Sequence, residues 1–309
     1  MNPKKRPLDG VLLLYKPPEL TSNAVLQKAR RLFHAEKAGH TGTLDPLATG
    51  LLPICFGEAT KYSNALLDAD KIYRARVRLG RVTTTGDAEG ETIAEHPVDV
   101  GLKDIEAVLA RFRGKISQVP PMHSALKHHG KPLYEYIRRG ETVEREARSV
   151  VIHELVLDGF GGSEMEITVR CSKGTYIRTL AEDIGVALGC GAHLSALCRT
   201  AIAHFILEQA YTLPQLDTMA EAGRDACLLP LESLMPQLPV LLLDDTQARR
   251  LAQGQRLSLE TGLPSGKVRL HGPQGFFGTG LLQGRRLSPE RLLDGVARFA
   301  AAGHQDAGG

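Results

Sequence analysis

A chain of 309 residues, 42% of them hydrophobic, is long enough for one large domain and a small one. The five cysteines, Cys55, Cys171, Cys190, Cys198 and Cys227, are odd in number and form no CxxC pair, which argues against a disulfide framework and a thiolate zinc site. The net charge of +3 is unevenly placed: residues 1–150 carry 24 Lys and Arg against 18 Asp and Glu, residues 151–309 carry 14 against 17, and the basic half hints at a polyanionic partner.

The chain opens on the basic segment Met1–Pro7. The apolar run Val11–Tyr15 stops at Lys16-Pro17-Pro18, too short for a signal peptide or a membrane span. It predicts a buried strand, and a cytoplasmic protein is expected. Thr21 or Ser22 can cap a following helix, whose stripe is Val25, Ala29, Leu32 and Phe33. Lys28, Arg30, Arg31 and Lys37 lie off the stripe, and Gly39 is placed to end the helix. Next comes Gly39-His40-Thr41-Gly42-Thr43-Leu44-Asp45-Pro46-Leu47-Ala48-Thr49-Gly50. Three glycines and a proline interrupt any regular period, so the stretch reads as a shaped loop. Its one acid, Asp45, either starts a turn with Pro46 or is a reactive group on a rigid, largely apolar loop.

Read on through Leu51-Leu52-Pro53-Ile54-Cys55-Phe56-Gly57-Glu58-Ala59-Thr60-Lys61, the stretch resembles the signature of the TruB family of tRNA pseudouridine synthases. Pro46–Pro53 resembles the bacterial stand-alone form more than the guide-RNA-dependent branch. The resemblance implies isomerisation of uridine 55 in the T arm of tRNA, with no cofactor, no guide RNA and no protein partner, by a monomer. It also implies an α+β fold: a catalytic domain with a mixed, mainly antiparallel sheet, plus a small β-rich, PUA-like domain. Asp45 becomes the catalytic carboxylate. His40 takes over the space a flipped base leaves, and Lys61 joins the substrate-binding set. The family usually has glycine in the Lys-Pro turn where this chain has Glu19.

In residues 71–81, Tyr73, Ala75, Val77 and Leu79 alternate with Arg74, Arg76 and Arg78, a strand with one apolar and one basic face. The basic face is either a solvated surface or a phosphate contact. Tyr73 is a core tyrosine on pattern alone. By resemblance, Lys71-Ile72-Tyr73 supplies the active-site tyrosine. Thr83–Gly90 is turn-rich, and within it Asp87 reads as a turn acid to which the resemblance gives a supporting place near the site. Ile105, Val108, Leu109 and Phe112 mark a short helix. Val119–Lys131 is basic and loop-like, extended by Arg138, Arg139, Arg145 and Arg148. Its histidines, His123, His128 and His129, lack metal-ligand spacing, so an RNA-facing loop is expected and no metal site. The family often has tyrosine where His123 stands.

Met165, Ile167, Val169 and Cys171 predict another strand, and Ile177, Leu180, Ala181, Ile184 and Leu188 a helical stripe. Arg178 stands in the first turn of that helix, where a cation opposes the helix dipole. In the family pattern Lys-Gly-Thr-Tyr-Ile-Arg it is the arginine that pairs with the catalytic Asp, and Tyr176 is a second pocket tyrosine. Gly191–Thr200 resembles the motif whose leucine, here Leu197, lines the uracil pocket. From about Leu238 the texture changes to short, Gly-punctuated elements: a helix over Asp244–Gln253 and apolar runs at Lys267–Leu270 and Phe276–Leu282. The predicted domains are 1–237 and 238–300, and 301–309 is a polar tail expected to be disordered. The competing readings are an RNA-binding and tRNA-folding protein with incidental catalysis, or a synthase for a uridine in another RNA. Asp45, Tyr73 and Arg178 together favour the enzyme, since a pure binder does not need all three.

Overall fold

The computed structural model describes residues 4–124, 126–128, 130–137 and 139–294, without the side chains of Lys127, His128 and Tyr134. His129, Arg138, the imidazole of His128 and the tail 301–309 lie outside the described residues. The chain divides into two compact units. The larger comprises Leu12–Leu228 with the N-terminal residues up to Leu8; the smaller comprises Asp9–Val11 and the described residues from Leu229 onward.

The larger unit is built on one mixed sheet. Its main strands are β1 (Gly10–Lys16), β2 (Ala38–His40), β3 (Thr49–Phe56), β4 (Lys71–Leu79), β5 (Gly114–Gln118), β6 (Arg148–Gly161), β7 (Glu164–Cys171) and β8 (Ala192–Ile202). They lie in the order β1-β3-β8-β4-β7-β6-β5, with β2 paired to β3. β8 runs parallel to β3 and antiparallel to β4, so it joins the Asp45 loop to the Tyr73 strand. Three helices cover the sheet: α1 (Ser22–Leu32), α2 (Leu102–Arg111) and α3 (Ile177–Ala187).

The apolar periods account for these elements. Val25, Leu26 and Ala29 of α1 are buried with Leu52, Ile54 and Phe56 of β3 in one core cluster. Phe33 stacks tilted on Phe56 with ring centroids 5.1 Å apart. Tyr73, Ala75, Val77 and Leu79 of β4 join Met165, Ile167, Val169 and Cys171 of β7 in a second core under α2 and α3. Each fully buried large apolar side chain contributes roughly 1.5–3 kcal/mol.

Thr21, not Ser22, caps α1, its hydroxyl accepting from Ala24 N at 3.1 Å. Ser22 instead accepts from Leu44 N at 2.8 Å and donates to Leu44 O at 3.0 Å, tying the helix start to the Asp45 loop. Gly39 does not end the helix. The chain leaves α1 at Leu32, turns at His34 (φ +49°), and uses Gly39 inside β2 opposite Cys55. A histidine in the left-handed region did the work expected of a glycine. Glu19, in the Lys-Pro turn, likewise sits at φ +65°, a conformation glycine adopts at lower cost.

The smaller unit carries a five-stranded sheet. Its strands are β9 (Val240–Leu242), β10 (Leu257–Ser258), β11 (Gly266–Gly272), β12 (Gly275–Gln283) and β13 (Arg286–Leu292), in the order β9-β11-β12-β13-β10. With α4 (Asp245–Ala252) they enclose Leu241, Leu251, Val268, Leu270, Phe277, Leu282 and Leu287. The segment before β9 is fastened to this sheet: Arg269 donates to Leu238 O at 2.9 Å, and His271 Nε2 lies 2.7 Å from Glu232. No described helix is long and apolar enough to cross a membrane.

Candidate active site

Asp45 lies in the loop between β2 and β3. Lys16, at the end of β1, holds this loop from beneath. Its ammonium is fully buried and donates to Pro17 O (3.0 Å), Pro46 O (3.1 Å) and Ala48 O (2.5 Å). Two carbonyls that follow Asp45 in the loop are thereby fixed to one cation. Burial lowers the Lys16 pKa to about 8, against the opposing pull of Asp45 and Glu89.

Arg178 meets Asp45 from the first turn of α3. Its guanidinium is only 5% exposed, and Nη2 stands 3.0 Å from Asp45 Oδ2. The same group donates to Thr85 O at 3.2 Å and to His123 O at 2.5 Å, and its Nη1 lies 3.4 Å from Asp87 Oδ2. Asp87 is buried, with its other oxygen accepting from Thr85 Oγ1 at 2.5 Å and Glu89 N at 3.1 Å. One cation thus serves two carboxylates, which satisfies the requirement that buried charges be paired and hydrogen-bonded. Burial raises the Asp45 pKa above its ordinary value and Asp87 adds to this, while Arg178 and Lys16 oppose them. The side chain of Asp45 remains 39% exposed, so it is held from behind and open in front.

The open side is a cleft of about 290 Å³ lined by Asp45, Tyr73, Tyr176, Arg178, Leu197 and Arg199, among others. Tyr73 and Leu197 project from β4 and β8 on the face shared with the core. Tyr176 is the residue before α3; its N–H donates to Gln118 Oε1 at 3.1 Å, and its carbonyl accepts from Gln118 Nε2 at 3.2 Å. A second cleft of about 530 Å³ shares Asp45 and Arg178 and adds His40, Asp87, Glu89 and His123. Burial, with the Arg199 charge, lowers the His40 pKa, which favours a neutral imidazole. His123 contributes its carbonyl to Arg178, a use that does not depend on side-chain identity.

Three expected substrate-binding residues are not in either cleft. Arg74 and Arg76 are one residue out of phase with Tyr73 and Ala75, so they leave the opposite face of the sheet. There Arg76 pairs with Glu166 at 2.8 Å, and Arg78 lies 3.6 Å from Glu164, because β7 brings those acids into register. The basic face of β4 is therefore partly neutralised by a neighbour that the strand's own sequence does not show. Lys61, in a short 3₁₀ turn, pairs with Glu58 at 2.8 Å.

Sequence reasoning gave no role to three buried cations of the site: Lys16, Lys71 and Arg199. Lys71 donates to the carbonyls of Leu66 (3.1 Å), Leu67 (2.8 Å) and Ala69 (2.5 Å). Arg199 donates through Nε to Leu51 O at 2.8 Å. A signal existed for Arg199, which shares the inward parity of Leu197 and Ala201 on β8. Among the described residues, no group of three or more His, Cys, Asp or Glu could hold a metal ion.

Known proteins resemble this chain over most of its length. The family described as TruB family pseudouridylate synthase (N terminal domain) matches residues 30–177. Two C-terminal families, tRNA pseudouridylate synthase B C-terminal domain and Pseudouridine synthase II TruB, C-terminal, match residues 178–236 and 239–293. A protein of Azoarcus sp. (strain BH72) named tRNA pseudouridine synthase B is 55% identical over 290 residues, 94% of this chain and 96% of its own. Its namesake from Chromobacterium violaceum is 54% identical over 298 residues, covering 95% and 97%. Among solved structures, a chain of a Cbf5-Nop10-Gar1 complex superposes with a TM-score of 0.69 at 28% identity, covering 92% of this chain and 84% of that one. A chain of an H/ACA RNP bound to a substrate RNA containing 2'-deoxyuridine gives 0.68 at 26%, with the same coverage.

Proposed function

This chain belongs to the TruB family of pseudouridine synthases, and from that premise we propose that it converts uridine 55 in the T arm of tRNA into pseudouridine, with Asp45 as the catalytic residue. The observation that carries the proposal is the recessed Asp45 carboxylate, 3.0 Å from a buried guanidinium and open to a cleft walled by Tyr73, Tyr176 and Leu197.

The isomerisation breaks the bond from N1 to C1′ and joins C5 to C1′; C5 gives up a proton and N1 gains one. Nothing is oxidised or reduced, so no cofactor enters the balance. A base inside a folded arm must leave its stack to react. Tyr73, Tyr176 and Leu197 then hold it, and His40 occupies the space it leaves. Asp45 reacts as the carboxylate, a nucleophile or base in its ionised form. Arg178 keeps it ionised, and Asp87 orients Arg178. Lys61, Arg74 and Arg76 add phosphate contacts outside the cleft, Lys61 and Arg76 exchanging Glu58 and Glu166 for phosphate. Residues 238–300 act as a PUA-like RNA-binding domain. The enzyme works as a cytoplasmic monomer without a guide RNA or protein partner.

The test is Asp45→Asn, nearly isosteric and unable to ionise. Single-turnover pseudouridine formation on a T-arm stem-loop should fall at least about a thousandfold, some 4 kcal/mol of barrier. Affinity for the stem-loop should stay within about threefold, because phosphate contacts supply much of it. The same titration with whole tRNA should give tighter binding, through contacts of residues 238–300 outside the arm. Wild-type turnover by Asp45→Asn removes Asp45 from the chemistry. Equal affinity for arm and whole tRNA removes the role given to residues 238–300.

A further inference from the structure

Arg199 is 1% exposed, and one of its nitrogens has no role in the fold described so far. Nε is anchored on Leu51 O, but Nη2 is buried without a hydrogen-bond partner. Gly42 faces the other terminal nitrogen: it stands at φ +106°, and a side-chain carbon there would come within 3.5 Å of Nη1. A guanidinium closed off from water with an unmet donor is costly, because the lost hydration is not replaced. Such a group persists where a later state of the site supplies the acceptor.

Arg199 and Tyr73 are register partners across β8 and β4, so their side chains leave the same face of the sheet side by side. Both line the cleft that holds Asp45. Nη2 has essentially no accessible surface, so a bound base would not reach it directly, whereas the phenol of the paired tyrosine lies on the same face. Burial raises the Tyr73 pKa, and the charge of Arg199 and a side-chain hydrogen bond to it both oppose this, so the guanidinium already lies close to the phenol.

We propose that Arg199 is a positioning residue for Tyr73: with a nucleotide in the cleft, the hydrogen bond from its guanidinium to the Tyr73 phenol oxygen tightens, Nη2–H donating, and fixes the ring against the base. Hydrogen bonds of an empty site commonly tighten only in the substrate complex. The inference rests on reading the Asp45 cleft as the active site.

A double-mutant cycle tests it, read by single-turnover pseudouridine formation at saturating enzyme. Arg199→Gln should slow turnover by about 10- to 100-fold with stem-loop affinity unchanged within about twofold, and Arg199→Lys should recover part of the loss. In a Tyr73→Phe background, which lacks the acceptor, Arg199→Gln should add less than about threefold. Independent, multiplicative losses overturn the proposal, as does wild-type turnover by Arg199→Gln. Because a buried arginine is being replaced, a second measurement leaves it in place. In protein labelled with ¹⁵N-arginine, stem-loop RNA should shift the Arg199 Nη resonance, and Tyr73→Phe should abolish that shift; a shift that survives Tyr73→Phe overturns the proposal. If Asp45→Asn retains turnover, the active-site reading itself falls. If Asp45→Asn is inactive and the losses multiply, only the role of Arg199 falls.

Discussion

At the scale of single residues, the site is a problem of keeping one carboxylate charged while most of it is walled off from water. Asp45 is pushed toward its neutral form by burial and by Asp87, and pulled back by Arg178 and Lys16. The sign of the pH dependence follows. The acid limb of the turnover profile should lie above the ordinary Asp value of 3.8, since the reactive form is the ionised one. Arg178→Met removes the larger restoring charge, so its residual turnover should show an acid limb displaced further upward. Measuring single-turnover rate against pH for both proteins checks this; an unchanged limb would mean that Arg178 does not govern Asp45. The pair is separated by 133 positions, and no periodicity links them. Their meeting was legible only through the family signature. Lys16 and Lys71 were illegible for the opposite reason. Both satisfy themselves on backbone carbonyls, and sequence carries little record of which carbonyls will be within reach.

At the scale of elements, strands and helices with a clean apolar period were readable because one face of each packs against a core. β4 and β7 follow their patterns residue by residue, and α3 buries Ile177, Leu180, Ala181 and Ile184 of its stripe together with Arg178, Thr179 and Gly185. What failed was inference about an element's surroundings. The arginine row of β4 looked basic in isolation, and β7 then placed Glu164 and Glu166 across from it. Close packing between elements also exposes a sensitive point. Gly50, the second residue of β3, stands at φ +103°, and a side-chain carbon there would lie 2.3 Å from the carbonyl oxygen of Arg199 on β8. Backbone cannot move aside as a side-chain end can. Gly50→Ala should therefore destabilise the protein by roughly 2–5 kcal/mol, combining strain with a broken β3–β8 pairing. Urea unfolding gives the figure; a loss under about 0.5 kcal/mol would show that the two strands can separate freely.

At the scale of the whole molecule, four buried groups give the stability an unusual alkaline profile. Lys16 and Lys71 are each lowered from 10.5 to about 8. For them the unfolded chain binds more protons between pH 8 and 10.5, so their contribution to stability rises with pH over that window. Cys55 and Cys171 are raised from 9.0 to about 12 and about 11. For the thiols the folded chain holds the proton longer, so their contribution falls as pH climbs from 9.0 toward those values. The lysines act alone between about pH 8 and 9, the two effects oppose each other up to about 10.5, and the thiols prevail beyond. Thermal midpoints should rise from pH 8 to 9 and fall above about 10.5. A steady decline from pH 8 would mean that the lysines are not held as the structure has them.

Arg178 is shared by three separate loops: it touches Asp45 in the first, Thr85 and Asp87 in the second, and His123 in the third. Loops fastened to one common group cannot loosen one at a time without leaving that group's remaining contacts incomplete. Their backbone amides should therefore exchange with deuterium as a single cooperative unit, with similar protection across the three segments. In Arg178→Met the three should become fast together, and tRNA should slow all of them at once in the wild-type chain. Three unrelated exchange rates would show that each loop has its own support. The walls of the cleft would then order as one event, coupling the capture of a nucleotide to the readiness of the carboxylate that acts on it.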